Sequence, residues 1–305
     1  DLVRDWLQAN RGPLDRAIAA SGRPRYFYPL VGAEAGPRVM AALLPKVSSV
    51  RTVCRALVAR AMARAGAGDG AEARADLLAV HRLARRIGSG PTLLHRLVGI
   101  AIEGDAARAG AALAASGALP GGEARRFIHA LRALRPLPGI AEAVDRYERF
   151  VYLEVVQRCA AGDFGAVWYL DTVRPDRPRR RWYATLATEV ARRAVDWDLV
   201  LRQGNVTYDH FVAACREPTP AGRERAMDRW ERNLRILRRV GGLWAPQPGL
   251  WAGTLLSGPE VRAQVASGLL HSILIPSIAL APELHVEVRM RGELEALAFA
   301  LAAHK

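Results

Sequence analysis

Asp69-Gly-Ala-Glu-Ala-Arg-Ala-Asp-Leu-Leu-Ala-Val-His-Arg-Leu-Ala-Arg-Arg-Ile87 is the stretch that decides the fold. Ala73, Leu77, Val80, Ala84 and Ile87 recur at alternating steps of four and three, which lines them up on one helical face. Asp69 with Glu72 three residues on is a variant of the capping box that starts such a helix. Upstream, Ser48 or Ser49 opens a second stripe: Val50, Val53/Cys54, Leu57, Ala61, Ala65. It ends at Gly66-Ala-Gly-Asp-Gly70, a turn so short that the two helices form an antiparallel hairpin. Downstream, Ser89-Gly90-Pro91 begins a helix that is apolar at Leu93, Leu94, Leu97, Val98, Ile100, Ala101 and Ile102. That covers more than one face, so the helix is expected to be central and buried. Leu97 is then expected to be a core residue whose replacement by Ala costs roughly 2–5 kcal/mol.

The same periodicity runs outward in both directions. Residues 1–10 read as a short helix, and Pro13 suits the first turn of a second. Prolines 24, 29, 37 and 45 punctuate an irregular stretch, with a helical turn expected near 39–44. Pro120 opens a helix carrying Phe127, Leu131 and Leu134. Another carries Ile140, Val144, Tyr147, Val151 and Val155. Asp196 caps a helix with the stripe Trp197, Leu201, Gly204, Tyr208, Phe211/Val212, Cys215. Further helices carry Ala226, Trp230 and Leu234, then Val261, Val265, Leu269 and Ile273, and a last one starts near Pro282. The fold class is therefore all-α, a non-repeating array of about ten helices with no convincing strand. The pattern breaks between Ala160 and Arg181. The expected organisation is an N-terminal array over 1–161, a basic loop over 162–181 and a C-terminal helical region over 182–305, or one continuous domain.

Composition bounds the function. The chain has 305 residues, half of them hydrophobic, which is enough for a sizeable core. The formal charge is +14, and only Lys46 and Lys305 among the 44 basic residues are lysine. Such arginine richness reads as GC-rich coding bias and a solvated cationic surface, with a functional anion-binding face as the alternative. Cys54, Cys159 and Cys215 are scattered in helical stretches, with no Cys-x-x-Cys pair, so neither a disulfide framework nor a thiolate metal site is expected. The longest apolar run, Leu269 to Leu280, is interrupted and reads as a buried hairpin rather than a membrane span. The chain opens at Asp1 without Met and closes on an unterminated helical run. It reads as a piece of a longer protein.

Two resemblances follow from these motifs. The segment Leu57…Ala61…Gly68-Asp69-Gly-Ala-Glu-Ala73…Leu77…Val80 resembles one tetratricopeptide hairpin, but no second copy appears 34 residues on, as an array would require. The chain as a whole resembles an uncharacterised family of bacterial, planctomycete-type helical proteins. That resemblance rests on Trp6-Leu-x-x-Asn10, on the block from Gly68 to Gly104, on Glu148-Arg149, and on Asp196-Trp197…Asn205…Asp209. It implies an all-helical fold, often tethered by a preceding hydrophobic helix, and hence a cell-envelope location. No activity is attached to that family.

No nucleotide-binding glycine motif, zinc-protease motif or nucleophile elbow is present. His81 and His95 lie on consecutive helices. With Asp76, Glu103 or Asp105 they would make a metal or acid/base cluster if they met, although satisfied or surface histidines are the favoured reading. Asn205, beside an apolar stripe with Asp209 one turn on, is a candidate polar pocket; a structural cross-link is favoured. Arg25-Tyr26-Phe27-Tyr28 mixes charge with aromatics as single-strand binders do, or else pins the Pro-rich stretch to the body. Arg177, Arg179, Arg180 and Arg181 are the sharpest charge cluster and the candidate anion contacts, suited to phosphates or anionic lipid head groups. No cofactor, metal or catalytic residue is assigned. The leading function is a non-enzymatic helical scaffold or protein-interaction domain. The alternatives are a cationic surface for nucleic acid or anionic lipid, and an enzyme with a site between helices. Partners would be another protein, or weak contacts with anions, nucleic acid or a membrane surface.

Overall fold

The computed structural model describes residues 2–31, 47–165, 167, 189, 192–242, 256–275, 278 and 281–304. In chain order they form α1 (Leu2–Ala9), α2 (Arg11–Ser21), α3 (Val47–Gly66), α4 (Gly70–Gly88), α5 (Leu93–Ala115) and α6 (Gly121–Arg132). There follow α7 (Ala141–Ala143), a π-helical turn (Val144–Glu148), α8 (Arg149–Ala160), α9 (Trp197–Arg216), α10 (Pro220–Gly242), α11 (Pro259–Leu274) and α12 (Ala281–Ala302). The described residues contain no strand, and the fold is all-α. The turn expected at 39–44 and the helix expected directly after Trp182 lie outside the described residues.

The chain divides into two compact units, one built from α1–α6 and α12, the other from α7–α11. This differs from the division expected at 162–181. The chain leaves the first unit after Ile140, and α12 packs on α5 and α6. The reason is side-chain chemistry: Val288, Glu295 and Phe299 of α12 are buried there. Phe299 meets Phe127 edge to face, with ring centroids 4.7 Å apart.

In the first unit α3 and α4 form the expected hairpin. Gly68 turns the chain at φ +85°, and the Asp69 carboxylate accepts a hydrogen bond from the Glu72 amide at 3.3 Å. The helices α4 and α5 cross where Gly88 meets Gly99. A Cβ on Gly99 would lie 2.7 Å from Gly88 Cα and 2.8 Å from the Ala84 carbonyl oxygen. This close approach buries Val80, Ala84, Ile87 and Ile102 in one apolar cluster, and Leu77, Leu113, Phe127 and Phe299 in another. The helix α5 is central, as expected, but Leu97 is only partly buried. The residues that fill the core are Ile102 and Leu113. Tyr26 and Tyr28 pack against the His95 ring, so these aromatics of the Pro-rich stretch are spent on packing.

The second unit is built around Tyr152. Its ring fills a slot that only glycine leaves open, because a Cβ on Gly204 would sit 2.0 Å from the ring. The Tyr152 hydroxyl donates to the Val200 carbonyl at 3.4 Å. The Trp230 indole donates to the Thr207 carbonyl at 3.1 Å and packs on Phe211. At the first residue of α8 the Arg149 amide donates to the carbonyl of Val144, five residues back, which closes the π-turn.

Candidate functional site

The helix α4 carries His81 on its inner side, and the side chain is fully buried. Two carboxylates flank it. Glu103 of α5 places Oε2 3.1 Å from Nδ1, and Glu295 of α12 places Oε1 3.2 Å from Nε2. Both are almost fully buried. Arg85, one turn after His81, reaches Glu103 at 2.6 Å and the Arg135 carbonyl at 2.7 Å. Gly110 makes room for the Glu295 carboxyl, since a Cβ there would lie 1.7 Å from Oε1. One imidazole thus ties the neighbouring helices α4 and α5 to α12, whose Glu295 lies 214 residues on.

The electrostatics follow from burial and pairing. Burial pulls the His81 pKa down, but the two carboxylates outweigh it and hold the imidazolium up to about 10. Burial pushes Glu103 up, and His81 and Arg85 overcome that and bring it to about 2. For Glu295 burial, with the Glu103 charge adding to it, outweighs His81 and the more distant Arg85, and its carboxyl is raised. A charged histidine between an ionised and a protonation-prone carboxylate could shuttle a proton in an open cleft. Here the trio is closed off in the core, which makes it a cross-brace.

The structure does not assemble the wider cluster considered from sequence. His95 turns to Thr92 Oγ1, 2.7 Å from its Nδ1, and burial with the neighbouring Arg96 lowers its pKa to about 4. Asp76 is fully buried against Arg60 at 2.9 Å and Arg64 at 2.8 Å. Among the described residues no group of His, Cys, Asp and Glu is arranged to hold a metal ion. All three thiols are pushed up to about 12 by burial, so none is a nucleophile near neutral pH.

Asn205 and Asp209 do come together, and Arg149 joins them. It donates to Asn205 Oδ1 at 3.3 Å and to Asp209 Oδ1 at 2.6 Å, reaches Asp145 at 2.8 Å, and lies over the Tyr208 ring. This links α8 to α9. Arg177, Arg179, Arg180 and Arg181 lie outside the described residues.

Two surface features were not legible as sites in the sequence. The first is an open groove of about 400 Å³ between α3 and α5, with Val58, Met62, Ala109 and Ala112 along it and Arg55, Asp105 and Arg108 at one end. The second is the outer face of α12. Met290, Leu294, Leu297 and Leu301 are 55–63% exposed. Their steps of four, three and four put them in one narrow stripe, opposite Val288, Glu295 and Phe299. The signal was present in the sequence as the run from Leu294 to Ala302, apolar at every position except Glu295.

No helix among the described residues is long and apolar enough to cross a membrane. Comparison of the chain with known protein families, with curated proteins and with solved structures gives no match.

Proposed function

We propose that this chain is a non-enzymatic helical scaffold, a protein-interaction domain of a cell-envelope-associated bacterial protein. The observation that carries this reading is the outer stripe of α12. A contiguous row of large apolar side chains on a surface helix marks an interaction face, whereas scattered ones do not. Met290, Leu294, Leu297 and Leu301 follow the spacing of a coiled-coil seam, so a partner helix laid along α12 is the expected mode. The acid–base groups support the same reading: His81, Glu103 and Asp76 are committed to ion pairs within the core.

The test is site-specific photo-crosslinking in the native cell. A photoreactive residue replacing Leu297 should give a discrete adduct with another protein, and L294E/L301E should abolish it. The control position is Arg225 on α10. No adduct at 297, or the same adducts at both positions, would overturn the proposal.

A second reading, a cationic surface for anions, rests on the +14 charge. Its contacts would be weak and salt-labile, and replacing Arg177, Arg179, Arg180 and Arg181 by Ala should weaken binding to DNA and to anionic vesicles alike.

A further inference from the structure

The cationic end of the α3/α5 groove is organised by a single carboxylate. Asp105, with a side chain only 11% exposed, is met by Arg51 at 3.5 Å and Arg55 at 3.3 Å, and by Arg108 in a close ion pair. The three arginine side chains remain 40–60% exposed. One carboxylate cannot neutralise three guanidiniums, so the cluster keeps two positive charges. Arginine cannot shed a proton to relieve them. Each planar fork carries five N–H donors, and Asp105 takes only some of them while fixing where the rest stand. That is the preorganisation an incoming oxyanion requires.

The groove leads directly away from this cluster. It runs between Arg55 and Met62 on α3 and between Asp105 and Ala112 on α5. Seven residue steps of helix on each side give it a length of about 10 Å. Beyond the arginines its walls are Val58, Met62, Ala109 and Ala112, with no further charge among the described residues. Its volume of about 400 Å³ falls at the small end of ligand sites, which span ~300–1,000 Å³. One charged end and one short apolar trough define the chemistry of the occupant.

We infer that the α3/α5 groove binds a small amphiphile with one oxyanion head, a phosphate monoester or carboxylate, held by Arg51, Arg55 and Arg108, and a hydrocarbon tail along Val58 and Met62. This site is separate from the α12 stripe and stands whether or not that stripe docks a partner. The volume favours a single chain over a protein helix, whose diameter with side chains is about 10–12 Å.

Calorimetric titration of the full chain with decyl phosphate below its micellar concentration tests the assignment. Inorganic phosphate, decanol, phosphatidylglycerol vesicles and an acidic Glu/Leu amphipathic peptide serve as comparison probes. Decyl phosphate should bind at least about tenfold more tightly than either inorganic phosphate or decanol, because only it uses both ends of the groove. R55A/R108A should lose about tenfold or more in affinity for decyl phosphate, and M62Q should weaken decyl phosphate while leaving inorganic phosphate unchanged. Both arginines are exposed, so folding should be retained. If melting shows otherwise, R55K/R108K keeps the charge and should still weaken binding, because lysine lacks the planar fork. Equal affinity of the arginine variants and the unmodified chain would overturn the proposal. So would inorganic phosphate or decanol binding as tightly as decyl phosphate, binding to vesicles alone, or tighter binding of the acidic peptide, which would reassign the groove to a protein partner.

Discussion

Replacing His81 by Leu should expose what the buried trio contributes. The substitution keeps bulk and removes the imidazolium. Glu103 retains Arg85 at 2.6 Å, but Glu295 loses its close cation. Removing one partner of a buried ion pair costs about 3–5 kcal/mol when the other charge stays stranded. Glu295 has an escape, because it can take up a proton. From an ordinary value of 4.5, protonation at pH 7 costs about 3.4 kcal/mol at 1.36 kcal/mol per unit, and at pH 5 it costs about 0.7. H81L should therefore be destabilised by about 3 kcal/mol at pH 7 and recover most of that at pH 5. The double substitution H81L/E295L leaves no stranded charge and should lie within about 1 kcal/mol of the unmodified chain at both values. Urea unfolding followed by far-ultraviolet circular dichroism measures all three. A single variant as stable as the parent at pH 7, or a double variant no more stable than H81L at pH 7, would refute the reasoning.

Three other expectations follow from the same structure. Stability carried by the His81 imidazolium is fully present below its unfolded value of 6.5 and is lost as pH rises through about 10, while that of Glu103 is present above 4.5 and lost as pH falls toward 2. Melting against pH should show both limbs, and H81L should lack the alkaline one. Gly99→Ala should destabilise by about 1–3 kcal/mol, since the new methyl meets backbone atoms of Gly88 and Ala84 that cannot rotate away; an unchanged melting temperature would place the α4–α5 crossing elsewhere. Ile102→Ala should cost roughly 2–5 kcal/mol and Leu97→Ala clearly less, because Ile102 is fully buried and Leu97 is not; the reverse order would show that α5 is rotated.

The local structure of the chain was readable from periodicity and caps. Asp69 and Asp196, read as caps, each accept a hydrogen bond from the amide three residues on, while α5 is capped by Thr92 rather than begun at Ser89-Gly90-Pro91. Stripes such as Ala73-Leu77-Val80-Ala84-Ile87 point inward as their spacing predicts. Long-range pairing was not readable. Glu295 and His81 are 214 residues apart, and periodicity carries no information about which distant helix covers which. Of the acids placed near His81 by sequence, only Glu103 reaches it, because a step of a few residues on an adjacent helix decides which face an acid occupies. Asp76 and Asp105 point to the arginines of α3 instead. The expectation for Leu97 failed for a related reason: a helix apolar over several faces does not reveal which apolar residue sits nearest the rim.

The π-turn at Val144–Glu148 makes residue count, rather than residue identity, the quantity that matters in that part of the chain. A π-turn holds one residue more than an α-turn, so a deletion within Val144–Glu148 can be absorbed by a return to regular winding. A deletion between Arg149 and Tyr152, where each residue advances the helix by about 100°, would instead rotate everything after it by that angle. Tyr152 would then swing away from the slot at Gly204. A surface loop absorbs a deletion by taking a shorter path, but a helix transmits it as a change of phase. Natural variants of this protein should therefore tolerate loss of one residue within Val144–Glu148 more readily than loss of one between Arg149 and Tyr152.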